Sequence, residues 1–365
     1  MTESIPSAIR DENVNRRPSL NMLSAPQTAF TLSIMTDLRP GPGCGDWVTH
    51  YDQCLEEVRF ADSLGFRTVR IPESHGHDDG MAAAPLTVLA AVAAVTNTIR
   101  LMTYAIPLSL HNPRVIAEQA AVVDLLSSGR LELGVGAGGR TAQFDIFGVS
   151  PTTRGRRAES ALRALRTALT TGVLNDGKDG QPVPVSPRPA QDNLPIYYGG
   201  LSSPAVKRAV RMADGCLPYD YIAPERNLPA FYAEKLIPAL QHSERDLNSF
   251  FFGVGVVLWA TDDPERAWDT TIEPALAYRQ QKYLEWSGHE DALEGMTSKA
   301  LRQGVLVGTP EDLAVRLRTI HAKAPWHDLA FWHRLPGVPH DAAMEHLELT
   351  SRRLMPLLDD KASGG

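Results

Sequence analysis

The sequence predicts an α/β protein, and more narrowly a (β/α)8 barrel, the TIM-barrel architecture. Strand-like and helix-like stretches alternate along the chain, and eight strand candidates can be counted, which is the number that this barrel requires. The length of 365 residues suits one large barrel as well as two average domains. The alternation therefore supports the fold, and the length only permits it.

The strand candidates are short runs rich in β-branched and aromatic residues. They cover residues 30–35, 67–71, 99–106, 131–133, 195–199, a short run near 215–219, 250–260 and 329–333. The helices between them begin at capping residues such as Asp46, Asn112 and Ser203. Residues 262–305 contain more helix than one crossover needs, so we expect an insertion after strand seven.

The domain organisation expected from these patterns is one barrel over residues 29–357. Residues 1–28 and 358–365 are predicted to be flexible tails. The loop 171–194 is rich in Gly, Pro and Asp and is too long for a simple connection, so we expect a short hairpin or a lid there. This loop and the 262–305 insertion are the segments expected to shape the substrate pocket.

Charge and cysteine content narrow the classes of partner. The formal net charge is −7, and basic residues are scattered among the acids, which argues against nucleic acid or an anionic membrane as a partner. The three cysteines, Cys44, Cys54 and Cys216, form no C-x-x-C pair and predict neither a disulfide framework nor a zinc site. The N-terminal residues lack the apolar core of a secretory signal, and we expect a cytoplasmic protein.

A glycine-rich segment, GRLELGVGAGGR, follows the fourth strand candidate. Its residues Gly134, Gly136 and Gly139 match the G-x-G-x-x-G fingerprint of dinucleotide-binding folds. That fold requires a helix to begin within the glycines and an acid to end the next strand, and the following residues meet neither requirement. Two interpretations stay open: a tight turn at a strand end, or backbone that lets a flat ligand approach at the active end of a barrel.

Other strand ends also carry polar or small residues. GGLSSPAVKRA places Ser202 and Ser203 before a helix, where free N–H groups favour an anion, although Ser203 alone could be a helix cap. His75 and His77 with two neighbouring aspartates could be metal ligands, but no further histidine ends strands five and six, and we expect no metal. Aromatic residues at or near strand ends could form a pocket wall or belong to the core: Tyr104, Tyr197, Tyr198, Trp259 and Trp332.

Several segments together resemble the luciferase-like flavin monooxygenase family. They are VRIPESHG, HNPRVIAEQAAVVDLLSSGRLELGVGAGG, FDIFGVSPTTRGRRAESALRAL, PIYYGGLSSPAVKRAVRMADG, LVGTPEDLAVRLRTI and PGVPHDAAMEHLEL. They occur in the family's order over about residues 30–357. Each segment is weakly specific, and their order and spacing make the resemblance strong.

The resemblance implies a barrel, usually dimeric, that binds FMN or the deazaflavin F420 at its C-terminal face. The ring would lie near Tyr104, Ala105, Gly136, Ala137 and Gly138, and some members have a non-proline cis peptide, which here would fall near Tyr104–Ala105. The phosphate would be held by residues of the segment after strand five: Gly200, Leu201, Ser202 and Ser203. The closing segment looks more like the FMN members. These form a C4a-(hydro)peroxide from reduced FMN and O2 that oxygenates a small or medium organic substrate, and a separate flavin reductase is an implied partner.

One departure from the family pattern concerns the residues after strand two. Members close to luciferase have Glu-His-His, whose first histidine is catalytic, whereas this chain has Glu73-Ser74-His75. A serine hydroxyl donates hydrogen bonds but is a poor base, so His75, His111 or His333 could take the acid–base role. We therefore predict a flavin monooxygenase that does not emit light. The alternatives are an F420-dependent oxidoreductase, a non-catalytic flavin-binding relative and a metal-dependent hydrolase.

Overall fold

A computed structural model describes residues 30–43, 45–218, 223–287 and 296–359 of the chain. Eight parallel strands form the centre of the fold: β1 (Thr31–Thr36), β2 (Thr68–Ile71), β3 (Arg100–Thr103), β4 (Leu131–Gly136), β5 (Ile196–Gly199), β6 (Gly215–Leu217), β7 (Phe251–Val256) and β8 (Asp328–Arg334). The predicted tail 1–28, residues 360–365 of the second tail and Cys44 lie outside the described residues.

The strands form a closed ring. Each pairs in parallel with the next one along the chain, and β8 pairs with β1, for example Leu329 with Leu32. The pairing of Leu101 in β3 with Leu131 in β4 joins the two halves of the sheet. A closed ring of eight parallel strands with helices outside it is the (β/α)8 barrel, and the predicted fold class is confirmed.

The helices that surround or cap the barrel are α1 (Trp47–Ser63), α2 (Pro85–Val95), α3 (Pro113–Leu126), α4 (Thr141–Ile146), α5 (Arg154–Thr171), α6 (Ser203–Met212), α7 (Pro224–Phe231), α8 (Ile237–His242), α9 (Pro264–Ala267), α10 (Glu273–Ser287), α11 (Ser298–Gln303), α12 (Pro310–His321), α13 (His340–Leu349) and α14 (Met355–Leu358). Among the described residues, no helix combines the length and the apolar character that crossing a membrane requires.

Helix α5 illustrates why the crossover segments fold as they do. Its buried residues recur at intervals of three or four, which places one apolar stripe against the barrel: Ala158, Ala161, Leu162, Leu165, Ala168 and Leu169. The helix ends at Gly172, whose backbone is left-handed (φ 74°), the conformation that most other residues avoid.

Two strand predictions differ from the structure. The predicted strand 99–106 is interrupted after Thr103 by a cis peptide between Tyr104 and Ala105, as the resemblance implies, and Ile106–Pro107 then pairs with the end of β4. The predicted strand 250–260 is divided as well. Residues Leu258–Ala260 leave the barrel and pair in parallel with Leu306–Gly308, outside the ring of eight strands.

The loop 171–194 contains a short antiparallel pairing of Val173–Leu174 with Val183–Pro184. It begins where α5 ends, and Asp176 in it forms an ion pair with Arg114 at the start of α3, 2.6 Å between Nη2 and Oδ1. The hairpin therefore lies on the helical layer outside the barrel. The expectation of a hairpin is confirmed.

Buried polar side chains fill the middle of the barrel. The Arg70 guanidinium forms an ion pair with Asp328, and both side chains are fully buried. The Ser33 hydroxyl donates to the same carboxylate at 2.8 Å, and Arg70 also donates to the Val254 carbonyl at 3.2 Å. This layer leaves the carboxyl ends of the strands as the place where a ligand can enter the barrel.

Candidate active site

A cavity of about 850 Å³ lies at the carboxyl ends of the barrel strands. It is lined by residues that follow strands β1 to β5, by the ends of β6 and β8, and by helix α10. Enzymes with this architecture have their active sites at this end of the barrel. We therefore take this cavity as the candidate active site.

Eight of the nine residues predicted to bind the cofactor line the cavity: Tyr104, Ala105, Gly136, Ala137, Gly138, Gly200, Leu201 and Ser202. The ninth, Ser203, is not part of the lining. It is the first residue of α6, and Ser202 is the N-cap, whose hydroxyl accepts from the Ala205 N–H at 3.4 Å. The expected cap is thus displaced by one residue, because the helix already begins at Ser203.

One end of the cavity is suited to an anion. The first turn of α6 faces it, and the side chains of Arg154 and Arg208 line it beside Ser202. The Arg208 Nη1 donates to the Tyr198 hydroxyl at 3.3 Å, whereas its buried Nε makes no hydrogen bond among the described residues and lies 3.5 Å from the Glu159 carboxylate. A phosphate at this end would meet guanidinium donors and helix N–H groups together.

Sequence reasoning missed these two arginines. Arg154 belongs to the basic run RGRR at the start of α5, and Arg208 lies within α6. The basic run was the only available signal, and surface arginines at helix starts are common. The Arg208 side chain lies against α5 at Gly155, where an added Cβ would be only 3.1 Å from the Arg208 Nη2. The place of Arg208 at the cavity therefore depends on how α5 and α6 pack together.

The inner face of β4 provides room for a flat group. Gly134 and Gly136 are two residues apart and so point to the same side of the strand, toward the barrel interior. An added Cβ on Gly134 would lie 2.0 Å from the Thr103 carbonyl oxygen, so only glycine allows β3 and β4 to approach at this point. Gly138 has a φ of +73°, which turns the chain away after the strand.

Glu73 at the end of β2 is hydrogen-bonded to two histidines. The His75 Nε2 lies 2.9 Å from Glu73 Oε1, and the His111 Nε2 contacts the same oxygen. Burial alone would raise the pKa of Glu73, but the hydrogen bonds from His111 and His75 outweigh it and lower that pKa. Glu73 lines the cavity, and the two imidazoles are partly exposed on its other side, so this group can hold and exchange a proton.

The same three residues have the composition of a metal site, with ligand atoms within 4.8 Å of one another. Here both imidazoles are already within hydrogen-bond distance of one carboxylate oxygen. The sequence-based alternative of His75 and His77 as a metal pair is not supported either, because His77 faces Ser74 and stacks on Trp286. We interpret the cluster as a proton-holding group.

Ser74 is buried and does not line the cavity. Its hydroxyl oxygen accepts from the Arg140 Nη1 at 3.0 Å and from the Gln143 Nε2 at 2.8 Å, and both of those side chains do line it. Burial first, and then the Arg140 charge, lower the pKa of His77 to about 4, so its imidazole is neutral near pH 7. The Arg140 Nη1, which can only donate, lies 3.1 Å from the His77 Nε2, so this nitrogen is an acceptor and receives the hydroxyl proton of Ser74 at 2.8 Å. Ser74 thus positions two cavity residues from behind the lining.

His333 does not reach the cavity. In β8 neighbouring side chains point to opposite faces, and Trp332 is the one that lines the cavity. His333 is fully buried between β8 and α1, where its Nε2 lies 2.8 Å from Glu57 and its Nδ1 lies 3.1 Å from the Met35 carbonyl. The position of His333 thus contradicts the expectation that it could be the acid or base.

Helix α10, residues that follow β1 and β2, and one residue of β8 contribute the remaining wall. Arg279, Gln280 and Tyr283 of α10 line the cavity, together with Arg39, Met81 and Trp332. Helix α10 lies within the segment 262–305 that was expected to shape the pocket. No residue of the loop 171–194 is among the described cavity residues, because its hairpin lies on the outer helices.

The aromatic residues at strand ends divide between wall and core. Tyr104 and Trp332 line the cavity. Tyr197 stacks on Phe251 with ring centres 4.4 Å apart, and Trp259 stacks on His346 at 4.1 Å. These last two are core residues, because their strands present them to other buried rings.

Comparison with known proteins identifies the family of this barrel. The family model described as luciferase-like monooxygenase matches residues 28–325. A 4-hydroxyprotoasukamycin monooxygenase of Streptomyces nodosus subsp. asukaensis is 23% identical over 354 residues, 91% of this chain and 92% of its own. An F420-dependent glucose-6-phosphate dehydrogenase of Nakamurella multipartita is 27% identical, over 82% of this chain and 90% of its own.

Among solved structures, the oxygenating constituent of 3,6-diketocamphane monooxygenase from Pseudomonas putida, in complex with FMN, has the same fold. Its TM-score is 0.70 at 16% identity, and the match covers 90% of this chain and 98% of that one. The similar proteins thus include both flavin monooxygenases and F420-dependent enzymes. On the evidence of the family model, which spans most of the barrel, the chain belongs to the luciferase-like monooxygenase family.

Proposed function

We propose that the protein is a flavin-dependent monooxygenase that uses reduced FMN and O2 to oxygenate a small or medium organic substrate. One observation carries the proposal: a single cavity joins a strand face without side chains to a helix N-terminus flanked by two arginines. The strand face suits the flat ring of a flavin, and the helix N-terminus with its arginines suits the phosphate. The monooxygenase that matches nearly the whole chain and the FMN complex with the same fold support this branch.

The residues present fit FMN. The buried Arg208 Nε without a hydrogen bond, the first turn of α6 and Ser202 would hold the phosphate, and the glycine face of β4 would lie against the ring. Bound reduced FMN supplies the electrons that activate O2. The protein contributes binding, orientation and the exclusion of water.

Proton control falls to Glu73 in this proposal. Glu73 lines the cavity, and two partly exposed imidazoles share its Oε1, so a proton can be held at His75 or His111 and transferred through the carboxylate. Ser74 holds Arg140 and Gln143 in place at the cavity wall. His333 has no part in the reaction because Glu57 and Met35 hold it outside the barrel.

Parallel titration of the purified protein with FMN and with F420 tests the cofactor. We expect saturable FMN binding and, with reduced FMN, O2 consumption that differs from that of free reduced flavin. Protein that neither binds FMN nor alters O2 consumption contradicts the proposal. Tighter binding of F420 than of FMN favours the second candidate, a hydride-transferring oxidoreductase, which the 27% identity to an F420-dependent dehydrogenase supports. Turnover of any substrate excludes a non-catalytic flavin-binding relative.

The partners proposed for this activity are a separate flavin reductase and a second copy of the chain in a homodimer, in the cytoplasm. The reductase is needed because the monooxygenase consumes reduced FMN. Light scattering of the purified protein measures the oligomeric state. Activity that depends on an added NAD(P)H:FMN reductase checks the supply of reduced flavin.

A further inference from the structure

We propose that the substrate is a planar, conjugated molecule with an anionic oxygen group, and that Arg279, beside Arg39 and on the face of Trp332, binds this group. The inference rests on the proposed function, because it assigns the part of the cavity that the flavin does not need. It concerns the wall formed by α10 and by the residues that follow β1 and β8.

The first observation is the charge of the cavity lining. Among the described residues that line it, five are arginines and one, Glu73, is acidic. Arg154 and Arg208 belong to the phosphate end, near β4 and β5. Arg39 and Arg279 lie where the residues that follow β1 meet α10 and Trp332 of β8, and Arg140, which follows β4, reaches across to Ser74 after β2 and to the Tyr283 ring of α10. One anionic group of the cofactor does not explain both ends.

Among the described residues, the acids that contact Arg39 and Arg279 lie behind these two side chains. Arg39 binds Asp37 through two hydrogen bonds, of 2.8 Å from Nε and 2.6 Å from Nη2, and its Nη1 reaches Asp79 at 3.2 Å. The Arg279 Nε lies 3.6 Å from the same Asp37 carboxylate. Asp37 and Asp79 are buried and do not line the cavity. A ligand in the cavity therefore meets guanidinium groups first, and two of them share one carboxylate.

The second acid of this group, Asp79, is incompletely hydrogen-bonded. Burial raises its pKa, more than the Arg39 charge lowers it, and one of its carboxylate oxygens has no hydrogen-bond partner among the described residues. The acid that does line the cavity, Glu73, is hydrogen-bonded to His75 and His111. The carboxylate nearest to Arg279 is Asp37, which Arg279 shares with Arg39.

The second observation is the flat surface on which the arginine lies. The Arg279 guanidinium is 4.5 Å from the centre of the Trp332 ring, and the Arg140 guanidinium is 4.4 Å from the centre of the Tyr283 ring. A guanidinium that stacks on a ring keeps its N–H groups in its own plane, where they suit the two oxygens of a carboxylate. Trp332 and Tyr283 both line the cavity, so they offer ring surface to a planar skeleton beside this site.

Binding of 2-naphthoate and of its neutral counterpart 2-naphthamide tests the inference, with tryptophan fluorescence and calorimetry as readouts and oxidised FMN present at saturation. We expect 2-naphthoate to bind about tenfold more tightly, the size of one charge-assisted contact. Arg279→Gln should remove this preference and leave the dissociation constant of 2-naphthamide within about twofold. Raising the NaCl concentration should also reduce the preference.

Arg208→Gln is the matched control at the other end of the cavity. It should weaken FMN binding and leave the preference for 2-naphthoate over 2-naphthamide intact in FMN-free protein. If FMN does not bind at all, the proposed function fails, but the comparison in FMN-free protein still tests Arg279. Equal binding of the two probes, or a preference that Arg208→Gln removes and Arg279→Gln does not, overturns the inference. If Arg279→Gln does not fold, the test uses Arg279→Lys and the salt dependence of the wild-type preference for 2-naphthoate. A preference that neither change reduces overturns the inference.

Discussion

Replacement of Gly136 by valine tests whether the glycine face of β4 is a ligand surface or only a turn. An added Cβ on Gly136 would have as its nearest neighbour the Gly199 carbonyl oxygen, at 3.4 Å, which is ordinary contact, and no left-handed backbone is required there. Because Gly136 lines the cavity, the added side chain occupies space that the ring needs. We therefore expect a larger effect on ligand binding than on folding.

The size of the expected loss of FMN binding follows from the cost of overfilling a packed site, about 1–3 kcal/mol. This corresponds to an FMN dissociation constant that is roughly five- to 150-fold larger. Gly136→Ala should have a smaller effect in the same direction. Gly308→Ala is the matched control, because Gly308 does not line the cavity and the nearest neighbour of its added Cβ would be the Leu313 Cγ, at 3.4 Å. FMN titration and urea unfolding of all three variants measure the two effects separately.

Normal FMN binding by Gly136→Val would refute the assignment of β4 as the ring surface. A loss of unfolding free energy as large as the loss of binding energy would also contradict it, since the glycine would then be needed for the fold. The corresponding change at Gly134 should disrupt folding itself, because the Thr103 carbonyl leaves no room for a Cβ.

Three further predictions address the histidines and Ser74. Ser74→Ala should lower the unfolding free energy by about 1–3 kcal/mol, since the buried Gln143 amide and the half-buried Arg140 guanidinium lose their shared acceptor. It should also raise the KM of the organic substrate while FMN affinity is kept, and rescue by Ser74→Thr is the check. His333→Ala should lower the unfolding free energy by a similar amount and leave FMN binding unchanged. Weaker FMN binding would show that His333 does act in the active site. The pKa of about 4 for His77 lies below the usual 6.5, so the unfolded chain binds the proton first, and stability should fall by at most about 3 kcal/mol as the pH drops from 6.5 to 4. In urea unfolding, His77→Gln should flatten this part of the pH profile, and an unchanged profile would show that other groups cause it.

Local patterns in the sequence determined the order of the strands and helices and the position of the small residues at the strand ends. Alternation of strands and helices, the glycines after residue 133 and the capped helix after residue 201 are properties of neighbouring residues, and their physical causes act over one or two turns. These patterns predicted the barrel, and the resemblance to the family implied the eight predicted cofactor residues that line the cavity. The family's motifs helped because they preserve that order.

Only the tertiary structure decided which side chains meet. The direction of a strand residue depends on register, so a difference of one position separates Trp332 in the cavity from His333 behind it. Glu73 meets His111, 38 positions later, and Arg279 meets Asp37 because closure of the barrel brings the ends of distant strands and helix α10 together. Such long-range contacts leave no local signal, because they depend on the packing of whole elements.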